Sequence, residues 1–158
     1  MSPPPLPACP KGHDLLRGKS VLITAAAGTG IGFAAAQRCA EEGAFVILSD
    51  IHPRRLGEAA ERLEKVMGKR PPAMLCNVTV QAEVDRLFDM SIEAAGRIDV
   101  LINNAGLGGN ANLVDMTDEQ WHQVLDVTLN GTFRCTRRAL KHMIPRGAGT
   151  IINNASVL

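Results

Sequence analysis

The stretch Thr24-Ala-Ala-Ala-Gly-Thr-Gly-Ile-Gly32 follows a short apolar run and precedes the small-residue segment Phe33-Ala-Ala-Ala. Glycines between a strand and a helix let the backbone approach a pyrophosphate, and the unpaired N–H groups of the helix N-terminus bind the anion. Glycine also closes ordinary strand–helix turns, and the spacing here is not the plain G-x-G-x-x-G, so the prediction depends on position in the chain. The candidate phosphate contacts are Gly28, Thr29, Gly30, Ile31 and Gly32.

The sequence on either side alternates short apolar runs with segments of helical period. The runs are Ser20–Thr24, Phe45–Asp50, Ala73–Cys76, Val100–Asn103 and Thr150–Asn153. They are nearly continuous rather than alternating, which is typical of parallel strands covered on both faces. The order β-α-β-α-β-α-β-α-β predicts a doubly wound α/β fold, a parallel Rossmann sheet in three αβα layers that stops after its fifth strand.

Three helical segments show a face at helical spacing. In the second segment its residues are Leu56, Ala60, Leu63 and Met67, and in the third they are Val84, Leu87, Phe88 and Ala95. In the fourth they are Trp121, Leu125, Thr128, Thr132, Thr136, Leu140 and Met143. Thr117 and Gln120 form a potential capping box that would start this long helix, and Pro145 would stop it.

Length and charge restrict the class of protein. The chain has 158 residues, 46% hydrophobic and 21% charged, with a formal net charge of +1. This predicts one domain with no nucleic-acid partner, and no apolar run is long enough to cross a membrane. Five prolines among the first ten residues predict an extended or disordered leader over 1–17, followed by the nucleotide-binding domain over 18–158. The N-terminus lacks the pattern of a signal peptide.

The four cysteines predict no metal site. Cys9, Cys39, Cys76 and Cys135 form no C-x-x-C pair and no zinc-type spacing. Cys9 with His13 would be only half a site. Free, buried or half-buried thiols in a reducing compartment are expected, so the predicted location is the cytoplasm.

Asp50 ends the second apolar run, eighteen residues after Gly32. A carboxylate at this place accepts hydrogen bonds from both hydroxyls of an adenosine ribose and repels a 2′-phosphate. It therefore favours NAD over NADP as the cofactor. Arg54 and Arg55 follow closely and would soften that preference, since arginine is the usual partner of a 2′-phosphate. The alternative is that Asp50 only caps the next helix.

Asn103-Asn104-Ala105-Gly106 follows the fourth run, and Asn153-Asn154-Ala155-Ser156 follows the fifth. With the glycine-rich turn, these motifs in this order resemble the classical short-chain dehydrogenases/reductases, from about residue 16 to the last. The resemblance implies that Asn104, Ala105 and Gly106 line the cofactor and steady the central sheet. It also implies that Asn77 and Val78 hold the adenine and that Ser156 is the catalytic serine, which orients a substrate carbonyl or alcohol.

Three motifs depart from the family pattern. Ala25 and Ala26 stand where the first glycine of T-G-x-x-x-G-x-G would be, in a turn one residue longer. Asn77 replaces an adenine-binding aspartate, although an amide oxygen can still accept from the adenine amino group. Thr128 replaces the catalytic asparagine of the fourth helix, and Asn130, two positions on, would point elsewhere. An asparagine-based proton relay is therefore not expected.

The chain contains no tyrosine. The family's Tyr-x-x-x-Lys, in which the lysine lowers the pKa of the tyrosine that moves the proton, would follow Leu158. The expected protein is thus the front of a longer, homo-oligomeric oxidoreductase, dimer or tetramer, inactive in its present length. It would transfer a hydride between NAD(H) and a small-molecule secondary alcohol or ketone. The motifs look most like those of actinobacterial members that act on hydroxyacyl-CoA intermediates of steroid-ring breakdown.

Two other classes stay open at this point. A non-catalytic nucleotide- or partner-binding protein would end naturally at Leu158, and a stop codon there would favour it. An S-adenosylmethionine methyltransferase also has a glycine-rich turn and an acidic end to its second strand. Asn103–Gly106 and Ser156 argue against a methyltransferase.

Overall fold

The computed structural model describes residues 10–108 and 111–155 and contains one parallel sheet. Its strands are β1 Ser20–Ile23, β2 Phe45–Asp50, β3 Ala73–Leu75, β4 Val100–Asn103 and β5 Thr150–Asn153. They are arranged in the order β3-β2-β1-β4-β5. The predicted doubly wound parallel sheet is confirmed, and three of the five runs have the predicted bounds. β1 and β3 each end one residue earlier than predicted.

Helices connect successive strands. They are α1 Ile31–Glu41, α2 Pro53–Met67, α3 Gln81–Ala95, α4 Asp118–Leu125 and α5 Gly131–Met143. A π-helical segment, Asp126–Asn130, joins α4 to α5, and 3-10 turns occupy Leu113–Asp115 and Ile144–Arg146. The capping box at the start of α4 is present, with Thr117 accepting from the Gln120 N–H and the Gln120 side chain accepting from the Thr117 N–H. Pro145 lies in the turn that follows α5.

The helices cover both faces of the sheet. Val21 and Ile23 of β1 pack with Phe33 of α1 and Leu63 of α2 in one buried cluster. Leu22, between them, points to the opposite face and belongs to a second cluster formed by α3 and α5. Alternate residues of one strand thus enter different layers, as in a three-layer αβα sandwich.

The predicted apolar faces of α2 and α3 are confirmed. The predicted face of the fourth helical segment is wrong except at Met143, which is buried. The residues of this segment that are buried are Gly131, Cys135, Ala139 and Met143. The π-helical segment fits one more residue into its turn, which shifts the phase of the helix. Gly131 also comes so close to Val78 that a Cβ would lie 2.6 Å from its methyl group. Small residues therefore face the sheet, while Trp121 and Leu140 are exposed.

Part of the predicted leader is tied to the end of α1. The buried carboxylate of Glu42 accepts hydrogen bonds from the N–H groups of His13, at 2.8 Å, and Leu15, at 3.2 Å, and pairs with Arg38. These donors hold the pKa of Glu42 below its usual value. Residues 1–9, the remainder of the predicted leader, lie outside the described residues.

Within the two described ranges, no helix is both long and apolar enough to cross a bilayer, and no three potential ligand side chains cluster around a metal position. Cys39, Cys76 and Cys135 are free, as predicted, whereas Cys9 lies outside the described residues. Burial raises the pKa of the Cys76 thiol to about 11 and that of Cys135 to about 12. Both thiols are therefore protonated and unreactive at neutral pH.

Candidate functional site

The candidate site lies where the chain reverses direction across the sheet. β1 pairs with β2 on one side and with β4 on the other, so the connections that leave the carboxyl ends of β1 and β4 diverge to opposite faces. In open α/β sheets a crevice for ligands forms at this point. The residues that follow β1, β2 and β4 are those that the sequence predicts as a cofactor site.

The turn after β1 is fastened to its neighbours at three successive residues. The Ala25 carbonyl accepts from Asn104 Nδ2 at 3.0 Å, and the Ala26 N–H donates to the Ser49 carbonyl at 2.9 Å. The Ala27 N–H donates to Asp50 Oδ2 at 3.1 Å. Ala25 itself has φ 49°, a left-handed conformation that glycine adopts more easily. The alanine therefore takes up, under strain, the backbone conformation that the family's glycine would favour.

The predicted phosphate contacts form the second half of this turn. Gly28 has φ +82°, and Gly30 is the N-cap of α1, without a side-chain cap and with open space where a side chain would stand. A Cβ on Gly32 would meet the Ala25 carbonyl oxygen at 2.3 Å, so only glycine lets α1 lie this close to the turn. Thr29 and Ile31 are exposed, and the first turn of α1 contains no acidic residue.

Asp50 connects the end of β2 to both elements beside it. Its side chain is 7% exposed, with Oδ2 on the turn and Oδ1 accepting from the His52 N–H at 3.0 Å, just before α2. The predicted ribose acceptor thus also holds the turn. Arg54 and Arg55 are exposed, and Arg54 lies 3.9 Å from Glu58 on the same helix.

Thr24 joins β1 to the loop after β4. Its buried hydroxyl oxygen accepts from the N–H groups of both Asn104 and Ala105, each at 3.0 Å. Thr24 is not among the site residues predicted from the sequence. The signal that could have found it is a buried hydroxyl at the end of the central strand, where backbone donors of the next loop need partners.

Two layers of asparagine amides extend the connection to β5. Asn103 Nδ2 donates to Asn153 Oδ1 at 2.9 Å and to Thr136 Oγ1 at 3.0 Å. Asn154 Nδ2 donates to Asn104 Oδ1 at 2.8 Å. The buried Asn103 Oδ1 has no donor among the described residues. These amides fix the relative positions of the loops that follow β1, β4 and β5.

The predicted adenine residues lie after β3. Asn77 Oδ1 accepts from the Thr79 N–H at 3.1 Å and from the Thr79 hydroxyl at 2.9 Å. This oxygen, which the sequence analysis assigns to the adenine amino group, is therefore already bound within its own turn. Val78 is 7% exposed and packs against Gly131 of α5.

The π-helical segment faces the loop after β4. Thr128 Oγ1 accepts from the Leu107 N–H at 3.2 Å and lies next to Gly106. Asn130 instead donates to Asp126 on its own helix, at 3.0 Å, in agreement with the prediction that it points elsewhere. Thr128 therefore holds the Gly106–Leu107 backbone. Ser156, the predicted catalytic serine, lies outside the described residues.

One further side chain reaches the turn from α2. Arg62 Nη1 donates to the Gly28 carbonyl at 2.8 Å, and its guanidinium lies 3.8 Å above the centre of the Phe33 ring. Sequence reasoning missed this residue because 34 positions separate the donor from its acceptor and no motif links them.

One family model matches nearly the whole length of the chain. The family model described as short chain dehydrogenase matches residues 19–158. A (5R,7aS)-5-hydroxy-7a-methyl-1-oxo-2,3,5,6,7,7a-hexahydro-1H-indene-carboxyl-CoA reductase of Mycobacterium tuberculosis is 54% identical over 93% of the chain and 56% of its own length. A 3-oxoacyl-acyl-carrier-protein reductase of Thermotoga maritima is 41% identical over 90% of the chain and 57% of its own length.

Solved structures agree with the fold. A short chain dehydrogenase from Mycobacterium smegmatis superposes with a TM-score of 0.89 at 52% identity, covering 96% of this chain and 63% of that one. A short-chain dehydrogenase/reductase from Burkholderia xenovorans gives 0.83 at 36% identity, over 89% of this chain and 57% of that one. The chain thus spans little more than half the length of the curated relatives it matches.

Proposed function

Because the chain belongs to the short-chain dehydrogenase family, we propose that the whole protein is an NAD-dependent oxidoreductase acting on a secondary alcohol or ketone. The observation that carries the proposal is the turn over 24–32, fastened between β2 and β4 at the switch point of the sheet with its helix N-terminus open. A nicotinamide cofactor supplies a carbon that accepts or donates a hydride.

The residues present fit such a cofactor. The Gly30 N-cap leaves the first N–H groups of α1 without a side-chain partner, and no carboxylate in its first turn repels an anion. Gly28 and Gly30 offer the space that close approach of a pyrophosphate requires. In this proposal Gly28 to Gly32 bind the pyrophosphate, and Asn104, Ala105 and Gly106 form the wall beside the cofactor.

Asp50 provides the proposed preference for NAD. The carboxylate lies at the end of β2 beside the turn and would accept from the ribose hydroxyls, whereas a 2′-phosphate would place a second anion next to it. The exposed Arg54 lies near Glu58, whose negative charge makes this arginine a weaker partner for a 2′-phosphate. Asn77 would contribute its NH₂ group, a donor to an adenine ring nitrogen, because its oxygen is bound to Thr79.

The proposed chemistry requires the Ser156 hydroxyl and a second group that transfers the proton. Ser156 follows Asn154, which is hydrogen-bonded to Asn104, so the loop after β5 begins beside the cofactor wall. Its hydroxyl would donate to the substrate oxygen and stabilise negative charge there. With no tyrosine among the 158 residues, the proton would be transferred by a tyrosine assisted by lysine in sequence that follows Leu158.

The proposed substrate class is a ring ketone or alcohol carried as a coenzyme A thioester. The support is the 54% identity to a mycobacterial reductase whose name gives a bicyclic hydroxy-oxo-indene carboxyl-CoA. The Thermotoga maritima relative is named for a linear 3-oxoacyl thioester. Both names share a keto group on a thioester-linked acid.

The test uses the full-length coding sequence and follows NADH absorbance at 340 nm. Three substrates separate the possibilities: a bicyclic ketone as the CoA thioester, the same ketone as the free acid, and a linear 3-oxoacyl thioester. We expect turnover with the bicyclic thioester and at least tenfold lower kcat/KM for the other two. Cofactor binding without any turnover would instead support a non-catalytic nucleotide-binding protein.

A matched pair of variants tests the cofactor assignment. Asp50→Asn removes the charge and keeps one acceptor oxygen, for the Ala27 N–H, while the bond from the His52 N–H is lost. The Kd for NADH should rise and that for NADPH should fall. Glu93→Gln removes an exposed charge from α3, which packs on the opposite face of the sheet, and should change neither constant. An unchanged ratio of the Kd for NADH to the Kd for NADPH in Asp50→Asn would show that Asp50 does not bind the ribose.

We also propose that the full-length protein is a homo-oligomer, either dimer or tetramer. The support is the outer face of α5, where Phe133 is 56% exposed and the neighbouring Ile144 69%. Light scattering coupled to size-exclusion chromatography gives the mass of the assembly directly. A monomer at micromolar concentration would contradict this proposal.

A further inference from the structure

Arg62 is the residue outside the predicted motifs that makes the most direct contact with the candidate site. It stands on the exposed side of α2 and reaches across to the turn after β1, donating to the Gly28 carbonyl at 2.8 Å. The three hydrogen bonds at Ala25, Ala26 and Ala27 join this turn to β2 and to the loop after β4. The Gly28 carbonyl is held instead by one flexible side chain from a neighbouring helix.

The ring of Phe33 fixes the direction of this side chain. Phe33 is 4% exposed and buried in the cluster between α1, α2 and the sheet, so its ring is a rigid platform. The guanidinium lies 3.8 Å from the ring centre. A planar guanidinium stacks on an aromatic face and keeps its N–H groups at the edge, which a lysine ammonium cannot reproduce.

The Gly28–Thr29 peptide is the part of the turn that this contact controls. In a trans peptide the carbonyl and the following N–H point in opposite directions. While Arg62 holds the Gly28 carbonyl on its side, the Thr29 N–H is directed away from α2. A full reversal of this peptide would give Thr29 a positive φ, which a β-branched residue avoids, so local sterics fix the sense of the peptide but leave its tilt to the contact with Arg62.

We propose that Arg62 is a positioning residue for the pyrophosphate: by holding the Gly28 carbonyl it fixes the tilt of the Gly28–Thr29 peptide and directs the Thr29 N–H at the anion. This inference rests on the proposed function, because it assumes that the turn binds a dinucleotide. Without Arg62 the peptide rocks about its Cα–Cα axis, and the Thr29 N–H is aligned with the phosphates for only part of the time.

The test measures direct binding to the full-length protein, with NADH, ADP-ribose and adenosine as the probes. NADH is titrated by its fluorescence, and the other two compete with it. In Arg62→Met, which keeps the aliphatic contact but removes the donor, the Kd for NADH and ADP-ribose should rise about tenfold. The Kd for adenosine, which lacks the pyrophosphate, should change less than about twofold.

Two further variants separate positioning from charge. Lys65→Met removes a positive charge from an exposed position one turn further along α2 and should leave all three constants unchanged. Arg62→Lys retains the charge but not the stacked plane, so it should bind ADP-ribose nearly as weakly as Arg62→Met. Full recovery in Arg62→Lys, or loss of the difference from the wild type in 0.5 M NaCl, would overturn the proposal in favour of a simple charge effect.

Failure of the proposed function has a different signature. If the wild-type protein binds neither NADH nor ADP-ribose, the cofactor assignment and the role of Arg62 both fall. If the wild type binds both and Arg62→Met is unchanged, only the role of Arg62 falls. An equal rise in the Kd values for adenosine and ADP-ribose would indicate a general loosening of the domain, and it would also overturn the positioning role.

Discussion

Replacing Thr24 by valine should destabilise the protein far more than the loss of one oxygen atom suggests. The Thr24 hydroxyl oxygen accepts from two backbone N–H groups, those of Asn104 and Ala105, each at 3.0 Å, and the side chain is 1% exposed. Valine has nearly the same shape, so it fills the space without accepting either bond. Leaving a buried donor unpaired costs about 1–3 kcal/mol, and Asn104 and Ala105 are half-buried, so the two together should lower the free energy of unfolding by about 2 kcal/mol.

The assay is urea denaturation of the full-length protein, comparing wild type, Thr24→Val and Thr24→Ser. Serine keeps the hydroxyl and loses only a buried methyl group, at a cost of about 1 kcal/mol. The transition midpoints should therefore decrease from wild type to serine to valine with an unchanged slope. If valine cost no more than serine, the hydroxyl would not be the group that joins β1 to the loop after β4.

Three other outcomes follow from individual residues. Ala25→Gly should raise the free energy of unfolding by about 1 kcal/mol, since it removes the left-handed strain of an alanine at φ 49°; a lower midpoint in the same urea assay would contradict this. Burial, with Arg146 and Arg138 nearby, lowers the pKa of His142, which accepts from the Ile98 N–H in its neutral form. The neutral His142 side chain should contribute fully to the free energy of unfolding above pH 6.5, and this contribution should be lost as pH falls through the folded-state pKa. The decrease in the free energy of unfolding between pH 7.5 and 5 should therefore be smaller in His142→Gln than in the wild type. The 158-residue chain alone should associate in size-exclusion chromatography through the outer edge of β5, and Ile152→Lys, at a position 47% exposed, should reduce that association; a monodisperse wild-type monomer would refute it.

The strands were predictable because burial on both faces marks each with a nearly continuous apolar run. β2, β4 and β5 have the predicted bounds. Thr24 and Cys76 extend those runs in the sequence but lie just past the strands, and the Thr24 hydroxyl pairs with the next loop instead. Apolar character identifies the strand, whereas its last residue is decided by hydrogen bonds that the sequence does not display.

The buried face of the fourth helical segment differs from the predicted one for a physical reason. Periodicity assumes a constant 3.6 residues per turn, and the π-helical segment breaks that phase. α5 also approaches the sheet closely, so Gly131, Cys135 and Ala139 are buried while Leu140 is exposed. A hydrophobicity pattern selects large apolar residues and misses a face made of small ones.

The candidate site was predictable where a motif is contiguous and not where it depends on tertiary contacts. Gly28 to Gly32 and Asp50 are recognisable from their positions after the first and second strands. The pairing of Asn103 with Asn153 requires the register of β4 against β5, and the contact of Arg62 requires the packing of α2 on α1. Such contacts join residues that no local pattern connects.

The most direct test of the proposed dinucleotide site is a binding titration of the full-length protein with NADH, NADPH and S-adenosylmethionine, measured by calorimetry under one set of conditions. We expect saturable binding of NADH, weaker binding of NADPH because of Asp50, and no binding of S-adenosylmethionine. Binding of S-adenosylmethionine without either nicotinamide dinucleotide would contradict the proposed site. Tighter binding of NADPH than of NADH would contradict the proposed role of Asp50 while leaving the dinucleotide site in place.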